Sequence, residues 1–427
     1  MKYLIIVPDG SADMPGSAGE GKTPLDVADI PNINRLAARG KVGLVRTIPA
    51  GVPPGSDAAN LAVMGYDPLK DLTGRSPLEA VSMGIEMGDR DIAFRTNLVT
   101  LSGDEGAPYE SLTIIDHSSG DITDEESEIL IRCIDEAIGS GDPKNGGRLK
   151  FYPGVSYRHA LIVKDGCGTE SGVGDVYGGM NGYGLTPPHD IPGRVIGDYL
   201  PKGEGSGFLL KLMKESYPVL RAHPVNEERR KMGLHTADSL WIWGQGKKPS
   251  LSSFKARYGL SGSVISAVDL IKGIGISAGL NPAPVEGATG TLDTNYEGKA
   301  RKAIEEFEKG KDFVYIHVEA PDECSHQGNL DEKIEAIQRI DAMVVGPVIE
   351  WMEECGEDFR VLVLPDHRTP LSIRTHSDEP VPYVFYDSRE DEGRADFDQG
   401  KRFSETSGGS GKYFGSGAEL ADMFFEK

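Results

Sequence analysis

The chain has 427 residues, a formal net charge of -22 and 38% hydrophobic residues. This length predicts two domains, or one large domain with an insertion. The acidic balance argues against nucleic acid and anionic membranes as partners, and without a run of 18 apolar residues no membrane span is expected. An anionic substrate would therefore need a local source of positive charge.

The N-terminus and the cysteines predict a cytoplasmic protein. "MKYLIIVPDG" holds an apolar run that ends in Pro-Asp-Gly, unlike a signal peptide. The cysteines are scattered and form no CxxC pair; they are Cys133, Cys167, Cys324 and Cys355. This spacing favours a reducing compartment, with neither a disulfide framework nor a structural zinc site.

Three apolar runs in the chain end in the same way. "YLIIVPDG" leads to Asp9, "FVYIHVEAPDE" to Asp322 and "RVLVLPDHRTP" to Asp366. Runs of this kind are typical of strands buried on both faces of a parallel sheet. Because ligands of open α/β sheets gather at the carboxyl ends of the strands, we expect the three carboxylates at one edge of one sheet.

Helical patterns alternate with these strands. "PNINRLAARGKV" begins with proline and stops at glycine, residues 294–309 are amphipathic, and residues 329–355 carry apolar residues at helical spacing. Strand–helix alternation at both ends of the chain predicts an α/β fold with a mainly parallel, helix-flanked sheet.

The middle of the chain has a different character. Residues 85–235 are rich in glycine, proline and short strand-like pieces, which predicts a smaller inserted α+β domain that binds substrate. The main domain would then comprise 1–84 and 236–427, with "SLWIWGQGKKPSL" as the return to it. "SETSGGSGKYFGSG", near the C-terminus, is predicted to be a flexible loop.

Ser56 stands at the start of a helical pattern in "PPGSDAANLAVMGYDP". Serine is a common helix N-cap, and it is also a nucleophile when a neighbouring base or metal activates it. Asn60, one turn later, could donate to a phosphoryl oxygen, or it could be an ordinary polar residue on the helix. The segment alone supports both interpretations of each residue.

The remaining polar motifs predict a metal centre. Asp322 and His326 are four residues apart, so one helix face would present both to the same ion. Together with the residues around "PDHRTPLSIRTH", the candidate ligands are Asp9, Ser56, Asp322, His326, Asp366, His367 and His376. Seven ligands suffice for two divalent cations; Mn²⁺ suits the mixed carboxylate and imidazole set best, with Zn²⁺, Co²⁺ and Mg²⁺ as alternatives. Two such ions would supply the missing positive charge.

Nearly the whole chain resembles the archaeal-type cofactor-independent phosphoglycerate mutases of the alkaline phosphatase superfamily. The motifs that carry the resemblance include "PPGSDAANLAVMGYDP", "GRSPLEAVSMG", "YPGVSYRHALIV", "APDECSHQG" and "LPDHRTPLSIRTHS". The resemblance implies an alkaline-phosphatase-like fold with an inserted domain. It also implies that one ion is held by Asp9, Ser56, Asp366 and His367, and the other by Asp322, His326 and His376. Ser56 would carry the phosphoryl group transiently.

The implied reaction interconverts 3-phosphoglycerate and 2-phosphoglycerate in glycolysis and gluconeogenesis. Arg158 is the candidate clamp for the substrate carboxylate, because arginine suits bidentate recognition. His117 and Asp190 are candidate proton handlers, Lys299 a candidate phosphoryl contact, and Arg229 a weaker candidate for substrate binding. Each could equally be a solvated or structural side chain.

Other activities fit the same motifs. A metal-dependent phosphatase, or a phosphomutase for another small phosphorylated metabolite, would use the same ligands, whereas a kinase is disfavoured because the sequence has no P-loop motif. A non-catalytic metal-binding protein would be expected to have lost Ser56 or a ligand. The sequence leaves the oligomeric state and the metal used in the cell open.

Overall fold

A computed structural model describes residues 1–103, 106–165, 184–203, 205–391 and 400–426. The chain forms two compact units. Unit 1 combines Met1–Leu72 with Ser250–Lys427, and unit 2 is Thr73–Pro249. Cys167 lies outside the described residues. Within the described ranges, no helix is both long enough and apolar enough to cross a membrane.

The described residues form thirteen strands and seventeen α-helices. The strands are β1 (Lys2–Pro8), β2 (Lys41–Val45), β3 (Ile92–Ser102), β4 (Thr113–Asp116), β5 (Leu149–Tyr152), β6 (Arg158–Val163), β7 (Ser239–Lys247), β8 (Gly262–Ile265), β9 (Asn281–Pro282), β10 (Phe313–Val318), β11 (Phe359–Val363), β12 (Val381–Asp387) and β13 (Lys412–Phe414). The helices are α1 (Pro24–Val27), α2 (Pro31–Arg39), α3 (Ser56–Val63), α4 (Pro68–Asp71), α5 (Arg75–Ser82), α6 (Asp124–Ile138), α7 (Gly207–Arg221), α8 (Pro224–Lys231), α9 (Phe254–Tyr258), α10 (Asp269–Ser277), α11 (Tyr296–Glu308), α12 (Ala320–Gln327), α13 (Leu330–Ile340), α14 (Gly346–Glu354), α15 (Ser388–Asp391), α16 (Glu405–Gly408) and α17 (Gly417–Phe425).

Unit 1 is built on a mainly parallel sheet in the order β13-β2-β12-β11-β1-β10-β8-β9. Only β12 runs antiparallel to its two neighbours. β1 lies between β10 and β11 and is parallel to both, with Val7 opposite His317 and Ile6 opposite Val363. All seven residues of β1 are buried, as expected for a strand covered on both faces.

Helices cover the two faces of this sheet. Lys2 extends its ammonium towards the Phe307 ring of α11, whereas Tyr3 packs edge-on against Phe424 of α17. Adjacent residues of a strand point to opposite faces, so α11 and α17 lie on opposite sides. Unit 1 is therefore a helix-flanked α/β layer structure, as the sequence pattern predicted.

The predicted helices of unit 1 form close to their expected positions. α2 begins at Pro31 and stops before Gly40, and α11 forms within the amphipathic stretch predicted over 294–309. The long helix predicted over 329–355 is interrupted by a π-helical segment, Asp341–Val345. The Asp341 carboxylate there accepts from the backbone nitrogen of Ile33 at 2.7 Å, which ties this helix to the first turn of α2.

Unit 2 contains a five-stranded antiparallel sheet. β3 is central: it pairs with β4, β6 and β7, and β6 pairs with β5. Alternate residues of the strands enter different cores. Phe94 and Leu161 join the cluster that includes residues of α6 and α7, while Ala93 and Ile162 join a smaller cluster with Ala80 of α5. Helices thus cover both faces of this sheet.

The boundaries of the inserted unit differ from those predicted. The insert was expected to begin at 85 and end at 235, whereas unit 2 begins at Thr73 and ends at Pro249. The earlier start arises because α5 packs on β3 and β7. The later end arises because β7, read from sequence as the return to the main domain, pairs with β3 along nearly its whole length.

The C-terminal glycine-rich segment is also more ordered in its structure than predicted. Instead of a loop it contains α16 and β13, and β13 adds to the edge of the sheet in parallel with β2. Close backbone approach explains the glycines: a Cβ at Gly411 would lie 1.9 Å from the backbone oxygen of Val42. Here glycine marks packing against a strand and not flexibility.

Candidate active site

Three buried carboxylates meet at the carboxyl ends of three neighbouring strands. Asp9 follows β1, Asp366 follows β11, and Asp322 lies in α12, which starts just after β10. The backbone nitrogen of Gly10 donates to Asp366 Oδ1 at 3.3 Å. Because the strands are parallel and adjacent, residues more than 300 positions apart in sequence reach one edge, as the three similar sequence endings predicted.

One group of predicted ligands gathers around Asp322. His326 Nε2 lies 3.1 Å from Asp322 Oδ2, and His376 Nε2 lies 3.5 Å from Asp322 Oδ1. The two Nε2 atoms are 3.1 Å apart. α12 contains both Asp322 and His326, so the four-residue spacing places them on one face as expected. These three side chains can reach one cation.

A second group gathers around His367. Its Nε2 atom lies 3.0 Å from Ser56 Oγ, 3.4 Å from Asp366 Oδ2 and 3.6 Å from Asp9 Oδ1. His367 and Asp366 are fully buried, and Asp9 and Ser56 nearly so. The structure therefore brings together the four residues that the resemblance assigned to one ion.

Ser56 is not a helix cap. Gly55 occupies the N-cap position of α3 and no side chain caps this end; Ser56 is the first helical residue. Its hydroxyl is directed to His367 instead. In the first turn of α3 the backbone nitrogen of Ala58 donates to Asp57 Oδ1 at 2.9 Å. The start of a helix favours a phosphate, because its backbone N–H groups point outward and its dipole is positive there.

Asn60 has a different role from the one predicted. Its Nδ2 donates to the Ser56 backbone oxygen at 2.8 Å and to Asp366 Oδ2 at 2.8 Å. Its Oδ1 accepts from the Tyr315 hydroxyl at 2.5 Å. An amide nitrogen has two hydrogens, so neither is left for a phosphoryl oxygen. Asn60 orients Asp366 and does not contact substrate in this arrangement.

The electrostatics of the carboxylates indicate that a cation belongs here. Burial raises the pKa of Asp9 well above its usual range, and repulsion by Asp366 and Asp322 adds to the rise. Burial also opposes ionisation of Asp322, yet hydrogen bonds from His326 and His376 hold its pKa well below the usual range. The hydrogen bond to Asp322 raises the pKa of His326 to about 9. Metal binding would displace this imidazole proton.

Two further observations test whether the residues fit a metal. Asp9 Oδ1 is buried and has no hydrogen-bond partner among the residues that the structure describes, so it is a free ligand atom. The ligand atoms of Asp322, His367 and His376 lie within 4.8 Å of one another, as do those of Asp9, His317 and Asp366. Carboxylate and imidazole donors in this mixture fit divalent transition metals.

His317 is a site residue that the sequence analysis missed. Its Nε2 lies 3.1 Å from Asp9 Oδ2, and its Nδ1 lies 3.3 Å from Ser266 Oγ. Burial lowers the pKa of His317 to about 4, so the ring is neutral. It lies inside the strand-like run "FVYIHV", where a histidine is easily taken for a core residue. The sequence signal that could have identified it is its position five residues before Asp322.

Lys299 is buried close to this centre. Its Nζ donates to the backbone oxygen of His317 at 3.1 Å. Burial lowers the pKa of Lys299 to about 8, against the pull of Glu319. Lys299 is fully buried at the strand that carries His317, and its contact with a phosphoryl group stays a prediction.

The candidate substrate residues of unit 2 lie in partly exposed positions. The His117 ring packs edge-on against Tyr157, with 5.6 Å between centroids, and the Arg158 guanidinium lies 5.0 Å from the centre of the same ring. Asp190 is exposed, 3.7 Å from His189 Nε2. His117, Arg158 and Asp190 thus remain available to a ligand. His189, at 6.2 Å from the His117 ring, was not predicted.

Arg229, by contrast, is a structural residue. Its side chain is only 3% exposed. Nε donates to the His235 backbone oxygen at 2.7 Å, Nη2 donates to that of Ser119 at 2.6 Å, and Nη1 pairs with Glu126. These bonds link α8 and α6 to two loops within unit 2. The prediction that Arg229 binds substrate is therefore wrong in this structure.

Comparison with known proteins identifies similar sequences. The profile of the 2,3-bisphosphoglycerate-independent phosphoglycerate mutase family matches residues 37–226. A probable enzyme of this name from Geobacter sulfurreducens is 45% identical over 430 residues, which cover 100% of both chains. The enzyme of this name from Methanosarcina barkeri is 46% identical over 411 residues, 96% of each chain.

The fold has a counterpart among solved structures. A protein from Pyrococcus horikoshii superposes with a TM-score of 0.76 and 28% sequence identity, covering 100% of this chain and 98% of the other. The predicted fold class, a mainly parallel helix-flanked sheet with a smaller inserted α+β part, is thereby confirmed.

Proposed function

Because the chain belongs to the archaeal-type 2,3-bisphosphoglycerate-independent phosphoglycerate mutases, we propose that Ser56 is the nucleophile of this isomerase. The enzyme interconverts 3-phosphoglycerate and 2-phosphoglycerate without a bisphosphoglycerate cofactor. One observation supports Ser56 above all others: its Oγ lies 3.0 Å from His367 Nε2, where the ends of the central strands meet. An exposed or capping serine would not be held there.

The enzyme depends on divalent metal, and we assign its ligands from the two groups in unit 1. Asp9, Ser56, Asp366 and His367 would hold one ion, and Asp322, His326 and His376 the other. Bound divalent cations lower the pKa of a coordinated hydroxyl and offset phosphoryl charge. The ligand mixture favours Mn²⁺. His317 would orient Asp9 from the neighbouring strand, at 3.1 Å.

Ser56 would carry the phosphoryl group between two positions of one substrate. Ser56 would react as its alkoxide, because bound divalent cations lower the pKa of its hydroxyl. The bond between Ser56 Oγ and phosphorus forms as the bond from phosphorus to the C3 oxygen breaks, and the C3 oxygen takes up a proton. After glycerate reorients, its 2-hydroxyl loses a proton and attacks the phosphoserine, which restores Ser56. Lys299, buried beside His317, would stabilise the transferring group.

Unit 2 would supply the groups that bind glycerate. Arg158, exposed at the start of β6, can make two parallel hydrogen bonds to the substrate carboxylate. His117 and Asp190 would exchange the protons that the C3 oxygen gains and the 2-hydroxyl loses. Retaining free glycerate requires that water be kept out while it reorients.

The test compares Ser56→Ala with Ser263→Ala in the full-length protein. Purified protein with Mn²⁺ and 3-phosphoglycerate, and no bisphosphoglycerate, should form 2-phosphoglycerate. Ser56→Ala should lose all turnover and remain folded. Ser263→Ala removes another buried hydroxyl of unit 1, one bonded to Glu306 at 2.7 Å, and should lose stability but keep turnover. Turnover by Ser56→Ala at the wild-type rate would disprove the assignment.

The same assay separates the alternative function. A phosphatase, or a phosphomutase for another metabolite, would use the same ligands. Net release of inorganic phosphate from 3-phosphoglycerate would indicate the phosphatase, and the absence of any conversion would indicate another substrate. EDTA should abolish the activity and added Mn²⁺ should restore it; activity that persists in EDTA would contradict the metal assignment.

A further inference from the structure

The hydroxyl of Thr369 contacts both ligand groups at once. Its Oγ1 donates to Asp322 Oδ1 at 2.5 Å and lies 3.2 Å from His367 Nδ1. Asp322 belongs to one group and His367 to the other. Thr369 is fully buried. In the sequence it follows His367 by two positions, in "DHRTP".

Counting hydrogens fixes the direction of these two bonds. An ionised carboxylate only accepts, and a threonine hydroxyl has a single hydrogen. That hydrogen goes to Asp322, so the contact with His367 requires Nδ1–H of the imidazole to donate to Oγ1. A neutral imidazole carries one N–H. The lone pair of His367 is therefore on Nε2, the atom that faces Ser56 Oγ at 3.0 Å.

The backbone around Thr369 is fixed from several sides. Its nitrogen donates to the Ala12 backbone oxygen at 3.2 Å, and its oxygen accepts from Lys333 Nζ at 3.0 Å. The Lys333 ammonium is itself buried and paired with Asp13 at 2.8 Å. A Cβ on Gly10 would lie 2.5 Å from Thr369 Oγ1 and 2.6 Å from Asp322 Oδ1. The hydroxyl is thus closely packed against the backbone after β1.

We propose that Thr369 is a positioning residue that couples the two ligand groups, by selecting the His367 tautomer with a free Nε2 and by orienting Asp322. This inference rests on the proposed function, since it assigns a role relative to those ligands. Partners that orient a ligand in this way commonly change metal affinity or activity by about 10–100-fold when they are removed.

Three variants of the full chain test the role of the hydroxyl. Thr369→Val keeps the branched shape and removes the hydroxyl, and Thr369→Ser keeps the hydroxyl. Thr96→Val makes the same change in unit 2, at a buried threonine whose hydroxyl has no hydrogen-bond partner in the described part of the chain. Mn²⁺ affinity is measured from the electron paramagnetic resonance signal of the free ion, and kcat and KM for 3-phosphoglycerate are measured alongside.

We expect Thr369→Val to bind Mn²⁺ about 10–100-fold more weakly and to lose kcat by a similar factor, with little change in KM. Thr369→Ser should recover most of both losses, and Thr96→Val should match the wild type in affinity and kcat. If Thr369→Val fails to fold, Thr369→Ala takes its place beside Thr369→Ser.

Two results would overturn the inference. Either Thr369→Val binds Mn²⁺ and turns over like the wild type, or Thr369→Ser is as impaired as Thr369→Val, which would make shape and not the hydroxyl decisive. Failure of the proposed function looks different: the wild-type protein itself would then bind fewer than two Mn²⁺ or leave 3-phosphoglycerate unchanged.

Discussion

The two units place their functional residues in opposite environments. In unit 1, seven of the candidate ligands lie at one edge of a mainly parallel sheet, and Asp9, Asp366 and His367 are all but inaccessible. In unit 2, the sheet is antiparallel, and His117, Arg158 and Asp190 stay partly or fully exposed. The first arrangement suits a fixed reaction centre, the second suits recognition of a polar ligand that must enter and leave.

The difference follows from sheet topology. Parallel strands all end at the same edge, so their following loops converge whatever their distance in sequence. Once converged and buried, charged groups shift one another's pKa and need a counter-charge. Antiparallel strands end at alternating edges and need no such convergence. Substitutions in unit 1 should therefore affect turnover, and substitutions in unit 2 should separate clearly into stability and substrate affinity.

The largest expected effect concerns stability in unit 2. Arg229→Met would leave Glu126 and two backbone oxygens without their buried donor, and breaking such a buried pair costs about 3 kcal/mol. Urea unfolding measures this loss, while KM for 3-phosphoglycerate should not change. Arg230→Met, at an exposed neighbour, is the control. A raised KM at unchanged stability would return Arg229 to the substrate site.

The next effect concerns turnover in unit 1. Gly10→Ala would push its Cβ against Thr369 and Asp322 at under 3 Å, and a displacement of a catalytic group by about 1 Å can lower the rate about 100-fold. Gly356→Ala is the matched control, since Gly356 also has a positive φ, +72°, but nothing within 4 Å of the added Cβ. Equal kcat values for the two variants would show that space around Gly10 does not matter.

A smaller effect is expected for Arg158 in unit 2. Arg158→Ala should raise KM for 3-phosphoglycerate about tenfold or more, because a hydrogen bond to a charged group contributes about 1.5–3 kcal/mol. Unfolding by urea should be unaffected, since this side chain is exposed and lies over the ring of Tyr157. Arg158→Lys keeps the charge without the bidentate fork, and a full recovery by lysine would exclude bidentate recognition.

The smallest expected effect is a difference between the two units in how their stability depends on pH. Burial lowers the pKa of His159, in unit 2, to about 3, whereas an unfolded histidine has a pKa of about 6.5. The folded state therefore loses stability as the pH falls from about 6.5 towards 3, by about 1.4 kcal/mol per pH unit. In unit 1, burial opposes ionisation of Asp387, but Arg389 and Arg360 lower its pKa to about 2. Its contribution is lost only between about pH 4 and 2.

Tryptophan fluorescence can follow unit 2 separately. Trp351→Phe leaves Trp241 and Trp243, both in β7 of unit 2. Urea unfolding between pH 7 and 5 should then show a falling stability, and adding His159→Phe should flatten the slope. A slope that is unchanged by His159→Phe would assign the pH dependence to another group.

Some parts of the site could be predicted from sequence because they are local. The strand endings, the Asp322–His326 spacing and the start of α3 are set by a few neighbouring residues, and all appear where expected. The residues that the sequence could not decide have distant partners. Arg229 was predicted to bind substrate, whereas it is bonded to α6 and to a loop within unit 2. The choice between cap and nucleophile for Ser56 depends on His367, 311 positions away.

The sequence by itself determined the α/β alternation, the carboxylates after the strands and the family, because period, turn residues and motif order are properties of neighbouring positions. Only the tertiary structure decided that His317 faces Asp9, that the Asn60 amide donates to Asp366, and that the Thr369 hydroxyl contacts both ligand groups. Those contacts depend on strand register and loop packing, which fix distances of a few ångströms between residues that the sequence keeps far apart.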